Sequence, residues 1–213
     1  MVFAIGITAS PVPTLAILLL LTGRRPAANG AAFAAGWSAG IGLASGVFLQ
    51  LVLRLGLATS GPFLIVILEL FLGTALLVAA AHIWNLRRRN RYVGSASLLT
   101  RIQRLSPPSS VGLGLALVGA NPKVLGLALG ASLALAAAGA DTRTRAESVV
   151  VLVTIGSAGV VVPLATYLVL PPVRGFLAAF RAWLLEHESA VVFIVSLTIG
   201  AVFILDALRS LRS

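Results

Sequence analysis

Six long apolar runs constrain this chain more than any other feature. They cover 2–22, 31–53, 62–84, 111–139, 148–170 and 189–208. About 20 consecutive apolar residues suffice for a helix to cross the hydrocarbon core of a bilayer. Inside hydrocarbon every backbone N–H and C=O must find a partner within the protein, and a helix does this without a neighbouring strand. The runs therefore predict an all-α, polytopic membrane protein of six transmembrane helices. Composition agrees. Of the 213 residues, 59% are hydrophobic and 10% charged, whereas a soluble domain carries about 25% charged residues. Such a chain lacks the polar surface of a soluble enzyme or a disordered tail.

Charge then orients the helices. Net charge is +10, but the basic residues sit in short gaps between apolar runs, not on one polar face, and so argue against a nucleic-acid partner. Gaps one, three and five hold Arg24 and Arg25; Arg87, Arg88, Arg89, Arg91, Arg101 and Arg104; and Arg174 and Arg181, ten residues in all. The opposite side has five: Arg54, Arg143, Arg145, Arg209 and Arg212. Basic loops stay on the cytoplasmic side. This predicts a multi-pass protein of the plasma membrane (the bacterial inner membrane) with both termini outside. The first run is read as a retained helix because Arg24 and Arg25 follow it, whereas a signal peptide has its basic residues in front.

Divided at the long loop, the chain reads as a first three-helix repeat at 1–84, a basic cytoplasmic loop at 85–110 and a second repeat at 111–213. Three helices per half force the halves into opposite orientations, as in inverted-repeat transporters. Pro11 and Pro122 stand 111 apart and Pro62 and Pro171 stand 109 apart, at matching places in the halves. Within the fifth gap Val173, Phe176, Leu177, Phe180, Trp183 and Leu184 recur at helical spacing. An interfacial helix near 172–187 is expected there, apolar face down. The plainer alternative is an extension of a span, set off by Pro171 and Pro172.

The paired prolines mark candidate broken helices. Ser10-Pro11-Val12-Pro13 interrupts helix one and Asn121-Pro122-Lys123 interrupts helix four. Proline has no N–H and clashes with the preceding turn, which leaves carbonyls free. Discontinuous helices at corresponding positions of two repeats point to a transport site. Lys123 strengthens the case, since a cation within a span costs at least ~2.5–3.5 kcal/mol on insertion scales and calls for a cavity or partner. Snorkelling toward the interface is its structural alternative. Asn121 offers a donor and an acceptor. The candidate substrate-binding set is Ser10, Pro11, Pro13, Asn121, Pro122 and Lys123.

Glu69 is the one acid well inside a span. It can exchange a proton, pair with Lys123 or Arg54, or reach the interface. His82, beside Trp84 and the Arg87 cluster, reads as an interfacial anchor, and Asp206 as a cap near the end of the sixth run. Gly36, Gly40, Gly42 and Gly46 and the pair Gly126 and Gly130 have small-xxx-small spacing, which lets helices pack closely and leaves self-association open. No catalytic triad, phosphate-cradling loop or metal motif appears. The chain has no cysteine and two histidines, His82 and His187. Disulfides and thiolate sites are excluded, a histidine metal site is not expected, and neither an enzyme nor a cofactor is expected.

The block Gly6-Ile7-Thr8-Ala9-Ser10-Pro11-Val12-Pro13, the loop Arg24-Arg25-Pro26-Ala27-Ala28-Asn29-Gly30, and Phe33 with Gly36-Trp37 resemble the actinobacterial GAP family of peptidoglycolipid or sulfolipid-1 addressing proteins. Asn121-Pro122-Lys123, Gly156-Ser157, Pro163, Tyr167 and Pro171 fit the same pattern. The Asn-Pro-Lys element is similar to one shared across the wider lysine exporter superfamily. The resemblance implies six helices and export of a cell-envelope lipid, delivered to the surface alongside larger lipid-transport machinery. The wider superfamily implies an amino acid or ion exported against proton entry; in that alternative Glu69, which rests on the reading of its position alone and not on the resemblance, would be the coupling group. A third reading is an accessory scaffold whose Arg87–Arg104 loop recruits an acidic partner. Family members often follow the lysine with asparagine, where this chain has Val124.

Overall fold

A computed structural model of the chain describes residues 2–8, 10–57, 102–170 and 172–210, with scattered positions between 67 and 85. Glu69 lies outside the described residues, as do Arg87, Arg88, Arg89, Arg91 and Arg101 of the basic loop. The side chains of Pro11, Pro122, Arg181, Leu184 and Asp206 lie outside them too. Among the described residues every regular element is helical.

The N-terminal run folds as α1 (Val2–Thr8) and α2 (Pro11–Leu21). The break falls where the sequence places it. Pro11 opens α2 at a first-turn position, where its missing N–H costs no hydrogen bond. Helix α3 (Pro26–Arg54) is continuous and is the one described helix long and apolar enough to cross a membrane by itself. Described positions between 67 and 85 are helical, within the third apolar run. Next come α4 (Pro107–Gly119) and α5 (Pro122–Ala137), bent by 66° at the expected Asn121 break. Pro122 again starts the second half-helix.

The fifth run departs from expectation. In place of an unbroken 148–170 helix, α6 (Thr142–Gly156) and α7 (Ala158–Val169) meet at Ser157 with a 58° bend. Counted as one span each, the α4–α5 and α6–α7 pairs join α3 as apolar enough to cross a bilayer.

The expected separate interfacial helix near 172–187 is also corrected. That segment is the first part of one helix, α8 (Val173–Ser210), 38 residues long. Glu186, His187 and Glu188 lower the hydropathy there but are compatible with helix, so they mark an environment without breaking the backbone. A 38-residue helix is about 57 Å long, nearly twice the thickness of the hydrocarbon core. The apolar stripe expected near its start divides. Leu177 is buried with Leu15 and Leu18, while Phe176 and Trp183 face outward. Phe176, Phe180, Trp183 and His187 stack in sequence along the helix, at 6.3, 6.0 and 4.9 Å between ring centres.

The centre of the fold is α3 against α4 and α5. Gly36 and Gly114 let two backbones touch. A Cβ at Gly36 would strike the Val111 carbonyl, and one at Gly114 would strike the Trp37 amide. Gly40 receives the Val118 side chain. Phe33, Trp37 and Ile41 of α3 are fully buried beside Ile7, Ile17 and Leu127. A Cβ at Gly42 would meet the Val153 side chain of α6 at 3.6 Å, an ordinary contact, and nothing lies within 4 Å of one at Gly46. Gly36 and Gly40 therefore sit at close helix contacts, and Gly46 does not.

Candidate functional site

The breaks in the first and fourth runs come together. Leu127 lies against Gly6, and the Phe3 ring lies against Gly130. As numbers rise along α1 they fall along α5, so the two half-helices run antiparallel. Continuing that register past the end of α1 brings Ser10 level with Lys123. Both are buried, Ser10 at 4% exposure and Lys123 at 9%. Pro13 is buried one turn further into α2.

Asn121 has a local task that sequence reading had not assigned. Its side-chain oxygen accepts from the Lys123 amide at 3.1 Å and the Val124 amide at 3.4 Å, capping α5. The cap ends one helix and starts the next without leaving amide donors bare in an apolar setting. It also fixes Lys123 in the first turn of α5. A cation there sits beside the positive end of the helix dipole, an unfavourable place for purely structural use.

The break in the fifth run meets the same level. Ile7 packs on Gly156, and the Thr8 hydroxyl donates to the carbonyls of Ile155 and Ala4. Trp37 Nε1 donates to the Gly156 carbonyl at 3.4 Å, and the Ser38 hydroxyl donates to the Ser157 hydroxyl at 2.8 Å. Pro163 within α7 removes the hydrogen bond that would reach the Gly159 carbonyl. The Thr14 hydroxyl donates to that carbonyl instead, at 3.3 Å. The carbonyls of Ile155, Gly156 and Gly159 thus have donors from α1, α3 and α2, as a break at bilayer depth requires. Thr8, Thr14, Ser38 and Ser157 were absent from the candidate set. The adjacent Gly156 and Ser157 were the available signal, because Gly/Ser pairs are a recurrent cause of helix kinks.

The breaks after α1 and α6 thus meet, with hydroxyls of Thr8 and Thr14 on freed carbonyls and Ser38 on Ser157, while Lys123 is buried in the first turn of α5, which packs against α1. Beside the α4–α5 bend the surface opens into an apolar groove of about 280 Å³, lined by Gly40, Leu43, Val47, Leu115, Gly119 and Leu125. His82 is exposed and outside this cluster. Among the described residues no group of three or more His, Cys, Asp or Glu side chains could hold a metal.

The family model for Sap, sulfolipid-1-addressing protein, matches residues 1–209. The chain belongs to that family. The match spans all three breaks, so the site belongs to the Sap-family portion of the chain and not to an added segment. Membership and the apolar helices make it a membrane protein of a sulfolipid-addressing family. No curated protein and no solved structure matches it.

Proposed function

We propose that the chain is a six-span inner-membrane exporter that moves an anionic cell-envelope lipid toward the cell surface. In this reading the two halves are inverted repeats and both termini lie outside. The headgroup passes the level of Ser10, Asn121 and Lys123 while the tails stay in the bilayer. One observation carries the proposal: a buried lysine sits where broken helices meet, and the break beside it opens sideways onto an apolar groove. A small hydrophilic solute calls for an enclosed polar chamber, whereas a lipid calls for a polar point with a flank open to hydrocarbon. Membership of the sulfolipid-addressing family supports the same cargo class.

The test is Lys123→Ala, with surface-exposed glycolipid measured in cells at matched protein level. The proposal expects surface lipid to fall. Unchanged export removes Lys123 from the mechanism. Purified protein that moves lipid in vesicles would dismiss the accessory-scaffold reading, and amino-acid uptake driven by a pH gradient would favour the small-solute one.

A further inference from the structure

Two grooves on α3 join into one trough. The groove beside the α4–α5 bend shares Leu43 and Val47 with a second, of about 520 Å³, that follows α3 to Arg54, the last residue of the helix. Leu43, Val47 and Leu51 stand one turn apart on this face and are exposed. Gly42 and Gly46, without side chains, keep the floor low, and nothing lies within 4 Å of a Cβ at Gly46. Gln50 and Arg54 are exposed at the far end.

The trough has the length of one leaflet. Gly40, where it meets the bend, is the middle residue of the 29 in α3. At 1.5 Å per residue, Gln50 lies about 15 Å and Arg54 about 21 Å beyond it. Half of a hydrocarbon core about 30 Å thick is also about 15 Å. With α3 crossing the bilayer, the bend stands near mid-depth, Gln50 at the edge of the hydrocarbon and Arg54 among the headgroups. The surface is thus apolar for the depth of one acyl chain and ends on an amide and a guanidinium.

We propose that this trough binds one anionic lipid of the outer leaflet. Its acyl chain lies along Leu43, Val47 and Leu51 with the tip at the α4–α5 bend, and headgroup oxygens accept from Arg54 and the Gln50 amide. The leaflet rests on the export reading, in which the trough receives the lipid once its headgroup has passed the level of Lys123. A neutral lipid would match the apolar part alone. A second copy packed on the same glycines would run its α3 parallel to this one and bring its own Arg54 alongside, two like charges at one point. The anionic lipid matches both the apolar length and the charge.

Photolabelling of the protein in vesicles tests this, with phosphatidylglycerol or phosphatidylcholine carrying a diazirine either at the chain tip or beside the headgroup. The tip probe should mark 43–44 and 119–125, and the headgroup probe 50–54. Phosphatidylglycerol should be favoured about fivefold, the factor that ~1 kcal/mol corresponds to. Gly46→Leu, which fills open space in the trough, should reduce labelling by both lipids. Arg54→Gln should remove only the phosphatidylglycerol preference. Labels spread evenly over the exposed helix faces, or equal labelling by both lipids that Arg54→Gln leaves unaltered, would overturn the proposal. So would Gly46→Cys copies that cross-link through that cysteine while 43–54 stays unlabelled, which would assign the trough to a second copy. Lys123→Ala, the test of the export reading, should leave this labelling intact, so the two can fail separately.

Discussion

Lys123 and Asn121 divide the work at the α5 break. Asn121 builds the turn and Lys123 supplies charge, so their substitutions should separate. Asn121→Ala should cost about 1 kcal/mol of stability through the lost cap, read as a lower melting temperature in detergent, and Asn121→Asp should recover most of it. Lys123→Met keeps the apolar stem but not the charge. It should leave the folded protein at wild-type abundance while export falls about tenfold or more, the range expected for a hydrogen bond to a charged group worth ~1.5–3 kcal/mol. These two residues were legible in the sequence because a proline and an intramembrane lysine each break a strong rule. Thr8, Thr14 and Ser38 were not, because a hydroxyl in a helix is chemically ordinary until one knows which carbonyl faces it.

Among elements, the two glycine spacings of α3 should respond in opposite ways. Gly36→Val drives a side chain into the α4 backbone and should destabilise by about 1–3 kcal/mol or more. Gly46→Ala meets open space and should leave thermal stability unchanged. Helix breaks were readable where proline causes them, at Pro11 and Pro122. The break at Ser157 was hidden because its stability is tertiary. Thr8 and Trp37 take the carbonyls that a continuous helix would have used. Thr14→Val should then weaken the α2–α7 contact by about 1 kcal/mol, while Thr14→Ser should preserve it. The misplaced start of the last helix has a related cause: hydropathy marks where lipid ends, whereas helix ends are set by caps and prolines. Pro172 stands immediately before the start of α8.

For the whole molecule, the account requires three interrupted helices to hold a polar point within an apolar bundle and a lipid to slip past it. The proposed topology and cargo rest on resemblance and loop charge, since apolar runs look alike in either orientation. The chain contains no cysteine, so single cysteines can be introduced on a silent background. The most direct test is Ser10→Cys in working membranes exposed to a charged, water-soluble thiol reagent, with Leu19→Cys of the same helix as the dry reference. Both positions are buried in the structure. The account predicts that Ser10→Cys reacts, that reaction blocks export, and that Leu19→Cys stays inert. A Ser10→Cys protein that exports normally and is as unreactive as Leu19→Cys would contradict it.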